Sequence, residues 1–381
     1  MQRLYWRPAT ATSGVHVLVA VIALAALFAA ERFQRVVVAR DFEEKQSAAS
    51  AMQRAFDLVR SKRAHDLAGV APIDLELDPT GSGMIGLASS ITTTNSGSLA
   101  AKRTTVNPNW AAVLVDLLHR AGVERGDLVA VGISGSFPAL NIATLVAADA
   151  IGAETVVIAS AGASSFGANI PGFGWLDMEH LLARAEIFDS RTIAASLGGT
   201  RDRALGMDRA GRRVLRESID AYGIAFIDVK EEIASIEERM RTYRAHAGSR
   251  RFAAYVNAGG ALVSIGPKSV KRLYDPGVNL RPHPRGIGVD SVMMRFLNES
   301  VPVINLSKVV LLAEEYALPV EPAALPEVGE GDVFAKRSHD RRLVAALLAA
   351  LAGASFALLR LEVGARILAL GGRQPKLERM V

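Results

Sequence analysis

Asp127-Leu-Val-Ala-Val-Gly-Ile-Ser-Gly-Ser136 is the stretch whose reading decides the fold of this chain. Leu128 to Val131 is a short apolar run, Gly132 and Gly135 permit a tight turn, and Ser134 and Ser136 place hydroxyls in it. The next residues, Phe137-Pro-Ala-Leu-Asn-Ile-Ala-Thr-Leu-Val146, read as a helix with Pro138 in its first turn, where a missing N–H costs little. The predicted order is strand, small-residue turn, helix. Free N–H groups at such a helix start attract anions. A hydroxyl on the same turn can instead act as a nucleophile, with Ser134 the leading candidate and Ser136 the alternative.

The same alternation continues downstream. Further strands are expected at 155–159, 192–196, 225–229, 252–257 and 301–306, with helices at 177–187, 208–222, 230–246, 289–298 and 307–316. The strands are near-continuous apolar runs, as when both faces of a sheet are covered. This pattern predicts an α/β fold with a doubly wound, mostly parallel, Rossmann-like sheet. The loops after four strands read Gly132-Ile-Ser-Gly-Ser136, Ser160-Ala-Gly-Ala-Ser-Ser165, Leu197-Gly-Gly-Thr200 and Asn257-Ala-Gly-Gly260. In such folds ligands bind at the carboxyl edge of the strands. Ser134, Gly135, Ser136, Gly198, Gly199, Asn257 and Gly259 are therefore candidate binding residues. The competing reading is steric, because Gly is common in strand-to-helix turns.

Upstream lies Ser89-Ser-Ile-Thr-Thr-Thr-Asn-Ser-Gly-Ser98, closely followed by Lys102 and Arg103. Hydroxyls and amides beside cations suit a carboxylate or phosphate ligand, so Thr92, Thr93, Thr94, Lys102 and Arg103 join the candidate set. A plain surface loop is the alternative.

Both ends of the chain are apolar. Residues 15–30 and 343–359 carry no formal charge. With the uncharged residues before it, the first run has about the 20 residues that span a bilayer. A removable signal peptide is its rival, and a buried core helix is the rival for the second. The net charge of +5 lies in the terminal segments: Arg3 and Arg7 at the head, and Arg360, Arg366, Arg373, Lys376 and Arg379 against Glu362 and Glu378 in the tail. Positive ends predict that both face the cytoplasm of a cell (inner or plasma) membrane, with the central domain outside it. Lys336, Arg337, Arg341 and Arg342 run against that rule. The expected organisation is a cytoplasmic segment 1–14, a span 15–30, an amphipathic helical stalk 31–77, an α/β domain 78–318, a Pro-rich linker 319–342, a second span 343–359 and a basic tail 360–381. The charge-balanced domain gives no expectation of nucleic acid.

The chain has no cysteine, which removes disulfides and thiolate chemistry. Gly132-x-Ser134-x-Ser136 approaches a nucleophile elbow, which ends in Gly. A hydrolase would further need a base, with His180 or His283 as candidates and Asp177 or Asp228 to orient it. The turn has neither Gly-x-Gly-x-x-Gly nor a Walker lysine, so no cofactor is expected. Asp177-Met-Glu-His180 is a chance-level pattern, and no metal is assigned.

Gly83-Met-Ile-Gly86, Ile91-Thr-Thr-Thr94, Leu99-Ala-Ala-Lys-Arg-Thr104, Asn107-Pro108 and Gly132-Ile-Ser-Gly-Ser136 together resemble the poly-gamma-glutamate system protein family. Its members are membrane-associated proteins linked to synthesis and export of poly-gamma-glutamate, a capsule polymer with one carboxylate per unit. The resemblance implies an accessory subunit, with the polymer, membrane-embedded synthase subunits and membrane lipid as partners; it carries no catalytic residues. Binding or guiding the polymer is the leading expectation. A serine-dependent hydrolase or transpeptidase acting on it, and a purely structural subunit, are the alternatives.

Overall fold

The computed structural model describes residues 13–259, 261–286 and 288–360. The expected segment 1–14 lies almost wholly outside them, as does the basic tail beyond Arg360. In chain order come α1 (Ser13–Arg32), β1 (Arg35–Val38), α2 (Phe42–Asp66), α3 (Leu99–Thr105) and α4 (Trp110–Arg120). The α/β alternation follows: β2 (Leu128–Ser134), α5 (Pro138–Ile151), β3 (Glu154–Ser160), a hairpin of β4 (Asn169–Ile170) and β5 (Phe173–Gly174), α6 (Trp175–Arg184), β6 (Thr192–Ser196), α7 (Arg209–Ala221), β7 (Ala225–Phe226), α8 (Glu232–Ala247) and β8 (Phe252–Ala258). The chain closes through α9 (Leu262–Ile265), α10 (Lys268–Lys271), β9 (Gly277–Asn279), α11 (Val292–Asn298), β10 (Val303–Asn305), α12 (Val309–Glu315), β11 (Ala335–Ser338) and α13 (Arg341–Arg360).

Two compact units result, one from Ala39 to Phe334 and one from the chain on either side of it. The larger is an α/β domain whose seven-stranded sheet runs β7-β6-β3-β2-β8-β10-β9. All neighbours are parallel except β9, which runs antiparallel along β10. Strand order steps outward from β2 through β3, β6 and β7, then reverses to β8 on the other side of β2. The carboxyl ends of β2 and β8 therefore flank the switch point, the usual ligand position in open α/β sheets.

All seven residues of β2 are buried, which explains its unbroken apolar run. Pro138 opens α5, and Gly152 closes it with φ 78°, the left-handed cap that glycine adopts without strain. Nearly the whole of α5 is buried, which accounts for its lack of a polar face.

Gly132 is a strand residue, not part of the turn. A Cβ there would stand 2.3 Å from Tyr255 Oη, and Tyr255 stacks on Phe296 at 4.7 Å between ring centroids. Its small size makes room for that aromatic layer.

Two expected boundaries are corrected. The predicted stalk is α2, and Ala48, Met52, Ala55, Phe56 and Val59 of that helix are buried in the main core. Its many charged residues hid an apolar face that packs on α4 and α5. The predicted linker 319–342 likewise belongs to the domain as far as Phe334: Val333 and Phe334 are buried, and Phe334 meets Phe42 edge-on at 6.2 Å.

In the smaller unit, β1 and β11 form an antiparallel ribbon with Val36 opposite Arg337. Arg35 pairs with Asp340 at 2.7 Å, and His339 Nε2 lies 3.1 Å from Glu31. Helix α13 lies beside α1. Its Arg341–Leu358 stretch is long and apolar enough to cross a membrane, and none of it is buried. Helix α1 exposes Val17, Leu24 and Phe28 along its length.

Candidate functional site at the carboxyl edge

The Thr-rich segment lies across the carboxyl edge of the sheet, and short-range hydrogen bonds place it there. Thr92 Oγ1 donates to the Asn169 carbonyl at 2.9 Å. Thr93 Oγ1 accepts from Asn169 Nδ2 at 2.9 Å and from the Ser90 N–H at 2.8 Å. These two threonines fasten the segment to the β4–β5 hairpin. Thr94 goes further into the edge. Its N–H donates to the Ala163 carbonyl at 2.8 Å, and its hydroxyl donates to the same oxygen at 3.0 Å.

Two glycines make room for Thr94. A Cβ on Gly162 would stand 2.5 Å from Thr94 Cγ2, and one on Gly199 would stand 3.0 Å from Thr94 Cβ. Thr94 thus sits between the turns that follow β3 and β6. Next along the chain, Asn95 and Ser96 are exposed, and the Asn95 carbonyl accepts from the Ser165 N–H at 2.9 Å.

The turn after β6 carries charge to this rim. Gly198 and Gly199 have positive φ, and so do Arg201, Asp202 and Ala204. Three non-glycine residues in the left-handed region within one short turn is strain that its surroundings must hold, at a cost of about 1–3 kcal/mol each. What holds it is buried beneath. Asp202 pairs with Arg239 at 2.9 Å, each side chain 3 % exposed. Ser235 Oγ donates to Asp202 at 2.6 Å and Ser196 Oγ does so at 2.7 Å, while Arg239 donates to Ser196 Oγ at 2.7 Å. With Asp202 drawn inward, Arg201 is left exposed and Arg203 half-buried at the rim. None of Arg201, Arg203, Asp202 or Arg239 was singled out in the sequence.

The two cations that were singled out lie elsewhere. Lys102 is 2 % exposed. Its ammonium donates to the Ser136 carbonyl and to Ser164 Oγ at 2.9 Å, and sits 3.7 Å from the centre of the Phe137 ring. Among the described residues no carboxylate lies within ion-pair distance of it. Burial without a counter-charge pushes the Lys102 ammonium down to about 7. Arg103, the next residue, turns away: its Nε donates to the Leu77 carbonyl at 2.9 Å, and it pairs with Glu321 at 3.4 Å.

Ser136 and Ser164 are joined, since the Ser164 N–H donates to Ser136 Oγ at 3.1 Å. Gly135 packs against backbone, with a Cβ there only 3.0 Å from the Ala161 carbonyl oxygen. Ser134 ends β2 at the switch point. Its Oγ accepts from the Ser136 N–H at 3.3 Å and lies 2.8 Å from where a Cβ on Gly259 would be. Asn257 Nδ2 donates to the Gly259 carbonyl at 2.7 Å. Gly260, the last residue of that turn, lies outside the described residues. Asn257 Oδ1, Asn141 Oδ1 and Asn305 Nδ2 are buried without a partner among the described residues; an unmade hydrogen bond of this kind costs about 1–3 kcal/mol. Asn257 and Asn305 stand opposite each other on β8 and β10.

The expected hydrolase constellation around Ser134 is not assembled. His180 stacks on Tyr222 at 4.5 Å, and Tyr222 Oη donates to Asp177 at 2.8 Å. His283 Nδ1 accepts from the Arg285 N–H at 3.2 Å. Neither imidazole is a hydrogen-bond partner of Ser134. Among the described residues no three His, Asp or Glu side chains gather as a metal site. Comparison of the chain with family models, with curated proteins and with solved structures finds no match.

Proposed function

We propose that this chain is a membrane-anchored accessory subunit of poly-gamma-glutamate synthesis or export, and that it binds or guides the polymer along the carboxyl edge of its sheet. The binding surface is the rim formed by Thr94, Asn95, Arg201 and Arg203, rather than Lys102 and Arg103. One observation carries the reading: Thr94 packs against Gly199 at the root of the Arg201–Arg203 turn. That contact joins the segment carrying the Asn95 amide to the turn carrying Arg201 and Arg203, while the Thr94 hydroxyl, which donates to the Ala163 carbonyl, holds the segment in place. A polymer with a carboxylate on every unit calls for repeated donors of this kind, and guanidinium groups bind carboxylates through two parallel hydrogen bonds.

The resemblance carried by Ile91–Thr94, Leu99–Thr104 and Gly132–Ser136 supports the process. The lengths of α1 and α13 and the positive terminal segments support anchoring at both ends, with the domain outside the cytoplasm and both termini within it. Membrane-embedded synthase subunits are the partners such an arrangement would meet.

The test is polymer binding by the full chain in lipid nanodiscs. Arg201→Ala with Arg203→Ala should weaken binding at least fivefold and reduce its salt dependence. Unchanged affinity in the double variant would remove the rim from the account.

A further inference from the structure

Beneath the rim lies a hydroxyl–amine pair that polymer binding does not need. We infer that Ser164 and Lys102 are the nucleophile and general base of an amide hydrolase that cuts the bound polymer, covered in this structure by the segment Asn95–Ser98. The inference rests on the polymer reading of the same edge.

The geometry departs from what a structural lysine needs. A lysine placed only to fill space would do better as an apolar side chain, since a buried cation costs several kcal/mol unless paired. Lys102 instead spends its donors on a carbonyl and on one serine hydroxyl, at 2.9 Å from Ser164 Oγ. That is the reach a base requires to take a proton. With no carboxylate to hold its proton, Lys102 exchanges it near pH 7, where a general base works best.

Ser164 is fixed for the same role. Its N–H donates to Ser136 Oγ, which ties the loop after β3 to the turn after β2. The amino end of α5 lies just beyond Ser136; Pro138 has no N–H, so the Phe137, Ala139 and Leu140 N–H groups are those without a partner within the helix. Such donors stabilise negative charge developing on an oxygen nearby. Over the hydroxyl passes Gly97: a Cβ there would lie 2.9 Å from Ser164 Oγ and 2.5 Å from the Ser165 carbonyl oxygen. The cover is made of exposed, small polar residues on both sides of that glycine, so lifting it exposes little apolar surface.

The reaction balances with water as the only co-reactant. Neutral Lys102 Nζ takes the Ser164 proton as Oγ bonds to the amide carbon, and the carbonyl pair moves to oxygen. When that oxyanion collapses, the C–N bond breaks and the Lys102 ammonium returns the proton to the leaving nitrogen. An ester on Ser164 remains. Water then gives a proton to Lys102 and its hydroxyl to the ester carbon. The C–Oγ bond breaks, Ser164 regains the proton, and a shortened chain leaves with a new carboxyl group.

The experiment uses the full chain in nanodiscs with purified poly-gamma-glutamate, reading chain length and polymer binding together, and a fluorophosphonate as an active-serine probe read by peptide mass spectrometry. The inference expects shortening, probe on Ser164, and a rate that rises as pH passes about 7. Ser164→Ala should lose cleavage and labelling while still binding polymer. Lys102→Met should slow labelling at least a hundredfold and remove the pH dependence. Polymer bound but not shortened, with Ser164 unlabelled at pH 8, would overturn the catalytic inference and leave the binding proposal standing. No polymer binding by the wild-type chain would overturn both.

Discussion

Asp202 is held 2.9 Å from Arg239 in a cluster with Ser160, Ser196 and Ser235, with both charges almost completely buried. The pair is what draws the turn after β6 into its left-handed path and leaves Arg201 outside. Asp202→Ala removes one partner and leaves a buried guanidinium uncompensated, a change that costs about 3–5 kcal/mol. Thermal unfolding of the full chain should show that loss. Polymer binding measured below the new melting point should weaken as well, because the turn that presents Arg201 is no longer held. A variant with wild-type stability would mean that the pair does not carry the turn.

Lys102 makes stability depend on pH with a definite sign. Its ammonium titrates near 7 in the folded chain against an ordinary value of 10.5. Between those values the unfolded chain binds more protons, so stability rises with pH across that window, and the desolvation penalty is fully present below it. The whole span is worth on the order of 5 kcal/mol. Comparing denaturant midpoints at pH 6 and pH 9 should show wild type gaining stability relative to Lys102→Met, the difference being the Lys102 contribution. Parallel pH dependence in the two chains would refute the assignment.

Gly132 and Tyr255 provide a steric check on the sheet. Gly132→Ala would set a methyl group 2.3 Å from Tyr255 Oη. Overpacking of this kind costs about 1–3 kcal/mol. Tyr255→Phe removes the nearest clashing atom and should recover part of the loss. Simple additivity of the two substitutions would argue that the residues do not touch.

Gly97 should act as the hinge of the cover. Gly97→Ala pushes the segment off Ser164, and fluorophosphonate should then label Ser164 several-fold faster than in wild type. A slower reaction would mean that the segment forms part of the site rather than its cover.

Topology can be read chemically because the chain has no cysteine. Glu330 is exposed on the larger unit, so Glu330→Cys should react in intact cells with a membrane-impermeant maleimide. Protection until the membrane is broken would reverse the proposed orientation.

The sheet was legible because parallel strands buried on both faces leave unbroken apolar runs, and β2, β3, β6 and β8 each stand within two residues of where those runs place them. β9 was not seen: three residues at an antiparallel edge leave too short a pattern. The ribbon of β1 and β11 escaped notice because its partners come from opposite ends of the chain. At the site, the Thr-rich segment and the turns were recognised, since Gly and Ser mark an edge where backbones approach closely. Their contacts were not. Lys102 and Arg103 are adjacent and look equivalent, yet α3 buries one and turns the other toward Leu77 and Glu321. Asp202 and Arg239 stand 37 positions apart, and nothing local marks either as buried. Ser164 was quoted within its loop, but only the approach of Lys102 sets it apart from Ser160 and Ser165.

The central claim is that the polymer lies along the rim of Thr94, Asn95, Arg201 and Arg203. Hydrogen–deuterium exchange of the full chain in nanodiscs, with and without poly-gamma-glutamate, addresses it directly. The account predicts slowed exchange in residues 92–98 and 198–204, with little change in α7 and α8. Protection confined to other surfaces, or none at polymer concentrations that saturate binding, would contradict it.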